Sequence, residues 1–334
     1  MRTQRQESKQ SRHRASPTIL YAYAAVPALL LGAFLARGVW HDFRGNWSAL
    51  FYFGDAWLEG GALPRNAVVR RGPGYDGQFY YRIARDPFLP LTRLRVGARS
   101  DPALGIDTPA YRYRRIAYPL AARLAALGTT DGLVWSCPLV SVFGVWLGVF
   151  STSRLFETFG WQRWWGAGYA MLPGLVFSAS RNLCEGFAIA LVSAALLAIA
   201  RKRTAPAIGL LTLAHLAHET TVLVSIGWFV HALGRAGRPR DAAPYLVPVA
   251  VALLWSAAVA AAFPPGLAAL LSPSGSEGLG VPLEGIWHKL RWLADPLHAA
   301  PAYAYLPTSG HFRTQEALLV PPILLALGVL LKAT

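Results

Sequence analysis

The stretch Leu133-Val134-Trp135-Ser136-Cys137-Pro138-Leu139-Val140-Ser141-Val142-Phe143-Gly144-Val145-Trp146-Leu147-Gly148-Val149-Phe150 carries no charged side chain and is too long for a buried strand. A helix that is apolar all round lies in a large core or in lipid, and a bilayer takes roughly 20 apolar residues to cross, fewer where it thins. Working outward, comparable runs occur at Pro17–Trp40, Trp164–Ala179, Gly186–Ala200, Ala205–Gly234, Ala243–Phe263 and Ala317–Leu331. In a chain of 334 residues with only 15% charged, there is too little polar surface to bury all of these in one water-soluble core. The fold class expected is therefore all-α, a polytopic helical membrane protein.

The net charge of +15 would suggest nucleic acid in a soluble protein. Here it is read as cytoplasmic anchoring under the positive-inside rule and contact with anionic lipid, with no nucleic-acid partner. Arg2, Arg5, Lys9, Arg12 and Arg14 place the tail 1–16 in the cytoplasm ahead of an uncleaved first helix. Arg201-Lys202-Arg203, the cluster Arg235 to Arg240, and Lys332 belong on the same side. These assignments agree only if Arg115–Leu127 does not cross and Ala205–Gly234 is two short crossings meeting near His218-Glu219. The result is about eight crossings in one domain, 17–334, with a large outer loop at 41–131 and a second at 264–315. Cys137 and Cys184 both sit in apolar surroundings, which supports neither a disulfide framework nor a cysteine-rich metal site.

Within the first outer loop, the spacing of Leu50, Phe51, Phe53, Trp57 and Leu58 predicts a short helix over Trp47–Leu58 lying on the membrane. Gly72-Pro73-Gly74 then breaks the chain. From Tyr75 to Arg85, Phe79 and Ile83 are four apart and Arg82 and Arg85 line another side, predicting a second surface helix. Asn46-Trp47-Ser48 fits a glycosylation acceptor pattern, too short to act on.

The polar residues among these apolar runs all fall on the outer side. Asp76, between Tyr75 and Gly77, suits a general base or a metal ligand, with the glycine leaving room for substrate; the plainer alternative is a helix N-terminal charge met by backbone donors. Glu185 and Glu219 lie at the edges of apolar runs, where ionised groups are expensive and usually functional or paired. Arg181, four before Glu185, offers a pairing partner along one helix face. His215, His218 and Glu219 suggest a metal, against satisfied polar packing. Arg112, Arg114 and Arg115, interleaved with Tyr111, Tyr113 and Tyr118, suit a surface that holds phosphate and stacks on sugar rings, or one that anchors at the interface. Trp161, Trp164 and Trp165 read as an interfacial belt. Trp287, His288, Trp292 and His298 are candidates for an acceptor groove, with anchoring the stronger reading.

The segments Tyr75-Asp76-Gly77-Gln78-Phe79-Tyr80-Tyr81, Arg114-Arg115-Ile116 with Tyr118-Pro119, Arg181-Asn182-Leu183-Cys184-Glu185 and Leu216-Ala217-His218-Glu219-Thr220 occur in that order across residues 40–235. Together they resemble bacterial multi-pass proteins of cell-surface glycopolymer formation, of the GT-C superfamily that includes the PIG-V-type mannosyltransferases. The family often has an acid where Asn182 stands and Arg or Lys where His218 stands. The resemblance implies a polyprenyl-phosphate-sugar donor and a lipid or glycan acceptor, with the reaction outside a bacterial cytoplasmic membrane. It implies Asp76 as catalytic base in an inverting displacement. Arg114 and Arg115, with Arg181 and His218, would hold the donor phosphate. Glu185, Glu219 and Gln78 would orient those cations or help hold a divalent ion such as Mg or Mn, and Tyr75, Tyr80 and Tyr113 would stack on acceptor or sugar. The rival readings are a transporter or flippase of lipid-linked sugars and a non-catalytic scaffold of a surface-polymer assembly. Transport is disfavoured because no inverted repeat is visible and the polar groups gather at one side.

Overall fold

A computed structural model describes residues 17–58, 63–96, 104–236 and 239–263. The chain divides into two compact units, Met1–Phe263 and Pro264–Thr334. The tail 1–16, the loop 264–315 with Trp287, His288, Trp292 and His298, the run Ala317–Leu331 and Lys332 lie outside the described residues.

The described chain is mostly helical. In order come α1 (Pro17–Phe43), α2 (Gly77–Arg85), α3 (Leu89–Val96), α4 (Pro109–Arg112), α5 (Ala117–Ala125), α6 (Leu133–Thr158), α7 (Pro173–Ser180), α8 (Glu185–Ala200), α9 (Thr204–Ala217), α10 (Val222–Ala236), α11 (Pro239–Ala242) and α12 (Val247–Ala262). Two short strands, β1 (Phe53–Gly54) and β2 (Val69–Arg70), pair in parallel with Phe53 opposite Val69. Among the described residues, three helical stretches are long and apolar enough to cross a membrane: Leu20–Phe43, Leu133–Thr158 and Pro239–Ala262. Each also presents large apolar side chains outward, among them Leu29, Leu30, Leu139, Leu253 and Leu254, a surface suited to lipid rather than water. The helices α8 and α9 are apolar but shorter.

α6 is the central packing element, touching α1, α5 and α8, while α8 packs on α9 and α9 on α12. Gly144 permits the α6–α8 approach, because a Cβ there would meet the Phe187 Cα at 3.3 Å. Small residues at helix contacts gain van der Waals contact where lipid supplies no hydrophobic drive. Leu31, Leu35, Val145, Val149, Tyr169 and Leu175 fill the core between α1, α6 and the segment before α8. Because α8 and α9 are neighbours joined by the tight turn at 201–203, Glu185 and His218 lie at the same end of the pair, opposite Arg201-Lys202-Arg203.

Several local expectations are corrected. Trp47–Leu58 is not a helix on the membrane but two 3₁₀ turns, Trp47–Phe51 and Asp55–Trp57, flanking β1. Tyr52 sits at φ +53 and ends the first turn. Phe51 and Phe53 are buried against the Tyr81 ring at 5.2 and 5.5 Å, so the aromatic spacing serves an internal core. Asn46 caps the first turn, its Oδ1 accepting from the Ser48 amide and hydroxyl. α2 is not a surface helix either: every residue from Gly77 to Ala84 is buried. The Arg82 guanidinium, expected on one side of a surface helix, donates to the carbonyls of Trp57 and Gly105. Burial lowers its pKa to about 10. A cation inside a helix pattern can be satisfied by loop carbonyls as well as by solvent, and periodicity does not distinguish the two.

The run Trp164–Ala179 is not one helix but a 3₁₀ segment, Arg163–Met171, followed by α7, whose first residue is Pro173. Ala205–Gly234 divides into α9 and α10 around His218–Thr221, where the charge pattern requires a break. α5, nine residues long, rises about 13 Å at 1.5 Å per residue and is too short to cross.

Candidate active site

Four chain segments meet at one end of the α8–α9 pair: the start of α2, residues 107–115 around α4, the turn 181–185 between α7 and α8, and the turn 218–219 between α9 and α10. Gly77 fixes the first contact, because a Cβ there would stand 2.1 Å from the Arg181 carbonyl oxygen. The space expected to admit substrate beside Gly77 is therefore filled by the 181–185 turn. That turn reverses through Asn182 at φ +51, a left-handed conformation asparagine tolerates, and the Leu183 amide closes it on the Ser178 carbonyl at 2.8 Å.

Asp76 precedes α2 but makes no side-chain capping bond. Its Oδ2 instead accepts from Arg112 Nη1 at 2.5 Å, and Arg115 Nη1 stands 4.0 Å away. Arg112 is buried and is held from behind by Asp107, Nε to Oδ1 at 2.9 Å and Nη2 to Oδ2 at 2.8 Å. One guanidinium thus bridges two carboxylates, with Phe79 beneath it at 4.8 Å. Arg115 makes a second two-pronged pair, Nε to Glu219 Oε2 at 2.8 Å and Nη2 to Oε1 at 2.5 Å. Its remaining nitrogen donates to the Tyr80 hydroxyl at 3.1 Å, and Tyr111 also receives a bond from Nη2.

Burial raises the Asp76 pKa above the usual aspartate value, and the Arg112 charge and hydrogen bond offset this only in part. Asp107 differs: burial opposes its ionisation too, but two bonds from Arg112 win and hold it low. Glu219 is likewise pushed up by burial and pulled further down by Arg115, ending at about 2. Arg112 and Arg115 stay protonated, since their carboxylate partners outweigh burial. Burial and the Arg115 charge lower the His218 pKa, so its ring is neutral near pH 7. The site thus separates two carboxylates locked as anions from a third whose proton affinity is increased, an arrangement found where one carboxyl must act as a base.

Glu185 opens α8, and its Oε1 lies 3.9 Å from His218 Nε2 while Ser178 Oγ donates to Oε2 at 3.3 Å. Arg181 does not share a helix face with Glu185, because α7 ends at Ser180 and α8 begins at Glu185. Its buried guanidinium lies over Phe177 at 3.8 Å and near Tyr52 and Tyr75 at 5.0 and 5.5 Å. Arg114 is half-buried and feels the Glu219 charge. Cys184, fully buried, shares a hydrogen bond with the Tyr80 hydroxyl at 3.1 Å.

Other expected roles are revised. Gln78 orients no cation: its Oε1 accepts from the Gly54 amide at 3.0 Å and its Nε2 donates to the Pro73 carbonyl at 2.7 Å, clamping the loop. Tyr80 and Tyr113 are fully buried and cannot stack on a sugar; Tyr113 packs on Phe263 at 5.3 Å and donates to the Asp86 carbonyl at 3.1 Å. Tyr75 remains half-buried, edge-on to Phe177. His215 is not a partner for His218, because its two ring nitrogens bond the Thr221 and Ser225 hydroxyls, each at 2.8 Å.

Sequence reasoning missed Asp107 and the bridging role of Arg112. The signal was Asp107-Thr108-Pro109, an acid and a hydroxyl before a proline at the first helical position, which announces a helix start and sets Asp107 beside Arg112 one turn on.

No family model, no curated protein and no solved structure matches the chain.

Proposed function

We propose that this protein is a multi-pass glycosyltransferase of a bacterial cytoplasmic membrane, moving a sugar from a polyprenyl-phosphate donor to an acceptor on the outer side. In this reading the N-terminus is cytoplasmic, the chain crosses about eight times, and the four segments open outward. The observation that carries it is the bridged pair Asp76–Arg112–Asp107 beside Arg115–Glu219. Four distant segments bring a basic carboxylate and several guanidinium groups together at the end of an apolar helix pair.

Asp76 accepts the proton of the acceptor hydroxyl as its oxygen bonds to the sugar carbon. The bond from that carbon to the donor phosphate breaks, and the polyprenyl phosphate leaves with the electron pair. Charge growing on the phosphate is met by Arg114 and Arg115, fixed cations in a partly buried site, where they act more strongly than in bulk water. Glu219 holds the Arg115 fork in plane and prevents a buried cation from collapsing onto Asp76. Arg181, sunk among rings, braces the turn that abuts Gly77.

The test is reconstitution in liposomes with a polyprenyl-phosphate sugar labelled in both sugar and phosphate. Transfer releases labelled polyprenyl phosphate as sugar reaches the acceptor. Donor that changes leaflet with its sugar–phosphate bond intact would overturn the reading in favour of transport.

A further inference from the structure

The transfer step proposed above leaves one group of side chains unused, two of which, Glu185 and His218, the resemblance had set beside the donor phosphate. Cys184 Sγ, a Glu185 carboxylate oxygen and a His218 ring nitrogen all lie within 4.8 Å of one another. They come from two separate turns, so the grouping is not a consequence of sequence adjacency alone. In a tetrahedral site, bond lengths of about 2.0–2.3 Å place neighbouring donor atoms roughly 3.3–3.6 Å apart, so the widest separation in this set needs to contract by up to about 1.2–1.5 Å. The Glu185 and His218 side chains are only partly buried, so side-chain rotation is the movement open to them.

Each donor residue has a hydroxyl within hydrogen-bond reach. Tyr80 holds Cys184 Sγ at 3.1 Å, Ser178 donates to the other Glu185 oxygen at 3.3 Å, and Thr220 Oγ1 is 2.9 Å from His218 Nδ1. The Thr220 amide donates to Nδ1 at 3.4 Å, so the metal-free ring carries its proton on Nε2, towards Glu185, and that proton must move to Nδ1, where Thr220 Oγ1 can accept it, for Nε2 to take an ion. Outer hydrogen bonds orient the ligands of metal sites.

We propose that Cys184, Glu185 and His218 form a three-ligand site for a zinc-class divalent ion, with a fourth position open to an exogenous ligand. The donor set selects the ion: thiolate and imidazole favour zinc or cobalt, whereas Mg and Mn prefer oxygen. The divalent ion displaces the thiol proton, which leaves to solvent, and a sulfur–metal bond forms. One thiolate and one carboxylate then balance the ion's charge, and Arg115 nearby is already neutralised by Glu219. Three protein ligands with a partly exposed rim describe an open site rather than a closed structural one.

The test uses the full-length protein and cobalt ion alone, without sugar or lipid donor, so its outcome does not depend on the transferase reading. The chain has two cysteines, so a sulfur-to-cobalt charge-transfer band has only two possible origins. The expected result is one cobalt bound per chain with that band and tetrahedral-type visible bands, all displaced by zinc. Cys137→Ser, inside α6, keeps the spectrum, and Cys184→Ser loses the charge-transfer band. Glu185→Gln and His218→Gln, at partly exposed side chains, keep the fold and weaken cobalt binding by more than about tenfold, the loss typical of even an outer-shell change. No charge-transfer band in the wild type, a band that survives in Cys184→Ser, or unchanged affinity in both Gln variants would overturn the site.

Discussion

Replacing Asp107 with Asn removes a charge while keeping the side-chain shape, and the structure fixes the direction of the effect. Arg112 is shared: two of its nitrogens serve Asp107 and one serves Asp76. Two carboxylates on different nitrogens of one guanidinium lie roughly 6–7 Å apart, and at an effective dielectric of about 20 their repulsion is about 2.5 kcal/mol. Partial solvent access at both acids reduces this to about 1 kcal/mol, or roughly 0.7 pH unit. In Asp107→Asn that repulsion is gone and Asp76 is left as the one anion against Arg112, so the Asp76 proton affinity falls. The assay is the pH dependence of kcat/KM for sugar transfer, with circular dichroism confirming the fold. The acid limb shifts down by about half to one pH unit, and the rate at the optimum falls because the base is weaker. Asp107→Glu restores the limb. An acid limb that stays in place, or moves upward, in a folded Asp107→Asn protein would refute the reasoning. A loss of stability alone would leave that limb unmoved.

Three further outcomes are expected. Gly77→Ala forces a methyl to 2.1 Å from the Arg181 carbonyl oxygen, a backbone atom with nowhere to move, so the overpacking cost falls at the upper part of about 1–3 kcal/mol; an unchanged melting temperature would contradict the contact. Gln78→Ala leaves the buried Gly54 amide without its acceptor and costs about 2–3 kcal/mol in denaturant unfolding, while KM for donor in the folded protein is unchanged; weakened donor binding at full stability would restore a ligand role to Gln78. Glu219, held at about 2 against a usual 4.5, supplies stability that is present above 4.5 and lost as pH falls from 4.5 towards 2. Glu219→Gln therefore flattens acid unfolding across that window, and a profile as steep as the wild type would exclude the Arg115 pair as its source.

The helical class was legible because runs such as Leu133–Phe150 leave the backbone only one way to satisfy itself in lipid. The grouping of polar residues at one end was legible from charge: Arg201-Lys202-Arg203 at one turn forces Glu185 and His218 to the other. What failed was the reading of faces in the loop 41–131. Arg82 and the rings of Phe51 and Phe53 have the spacing of interfacial anchors, yet they point inward, because carbonyls of Trp57 and Gly105 and the Tyr81 ring meet them. Residue type records that a guanidinium needs acceptors, not where those acceptors come from. For the same reason Tyr80 and Tyr113 read as stacking platforms while their hydroxyls are spent on Cys184, Arg115 and the Asp86 carbonyl. Asp107 escaped notice because its partner is defined by a helix start, and that start by Pro109.

In the proposed transferase Asp76 is the base, and Asp76→Asn removes that base alone. The variant keeps the volume and an oxygen for Arg112, so the fold and donor affinity persist. The measurement is kcat for sugar transfer from a polyprenyl-phosphate donor by the reconstituted variant beside the wild type. A fall of about 10²–10⁴-fold is expected for loss of a general base. Wild-type turnover in a folded, membrane-inserted Asp76→Asn protein would exclude Asp76 as the base.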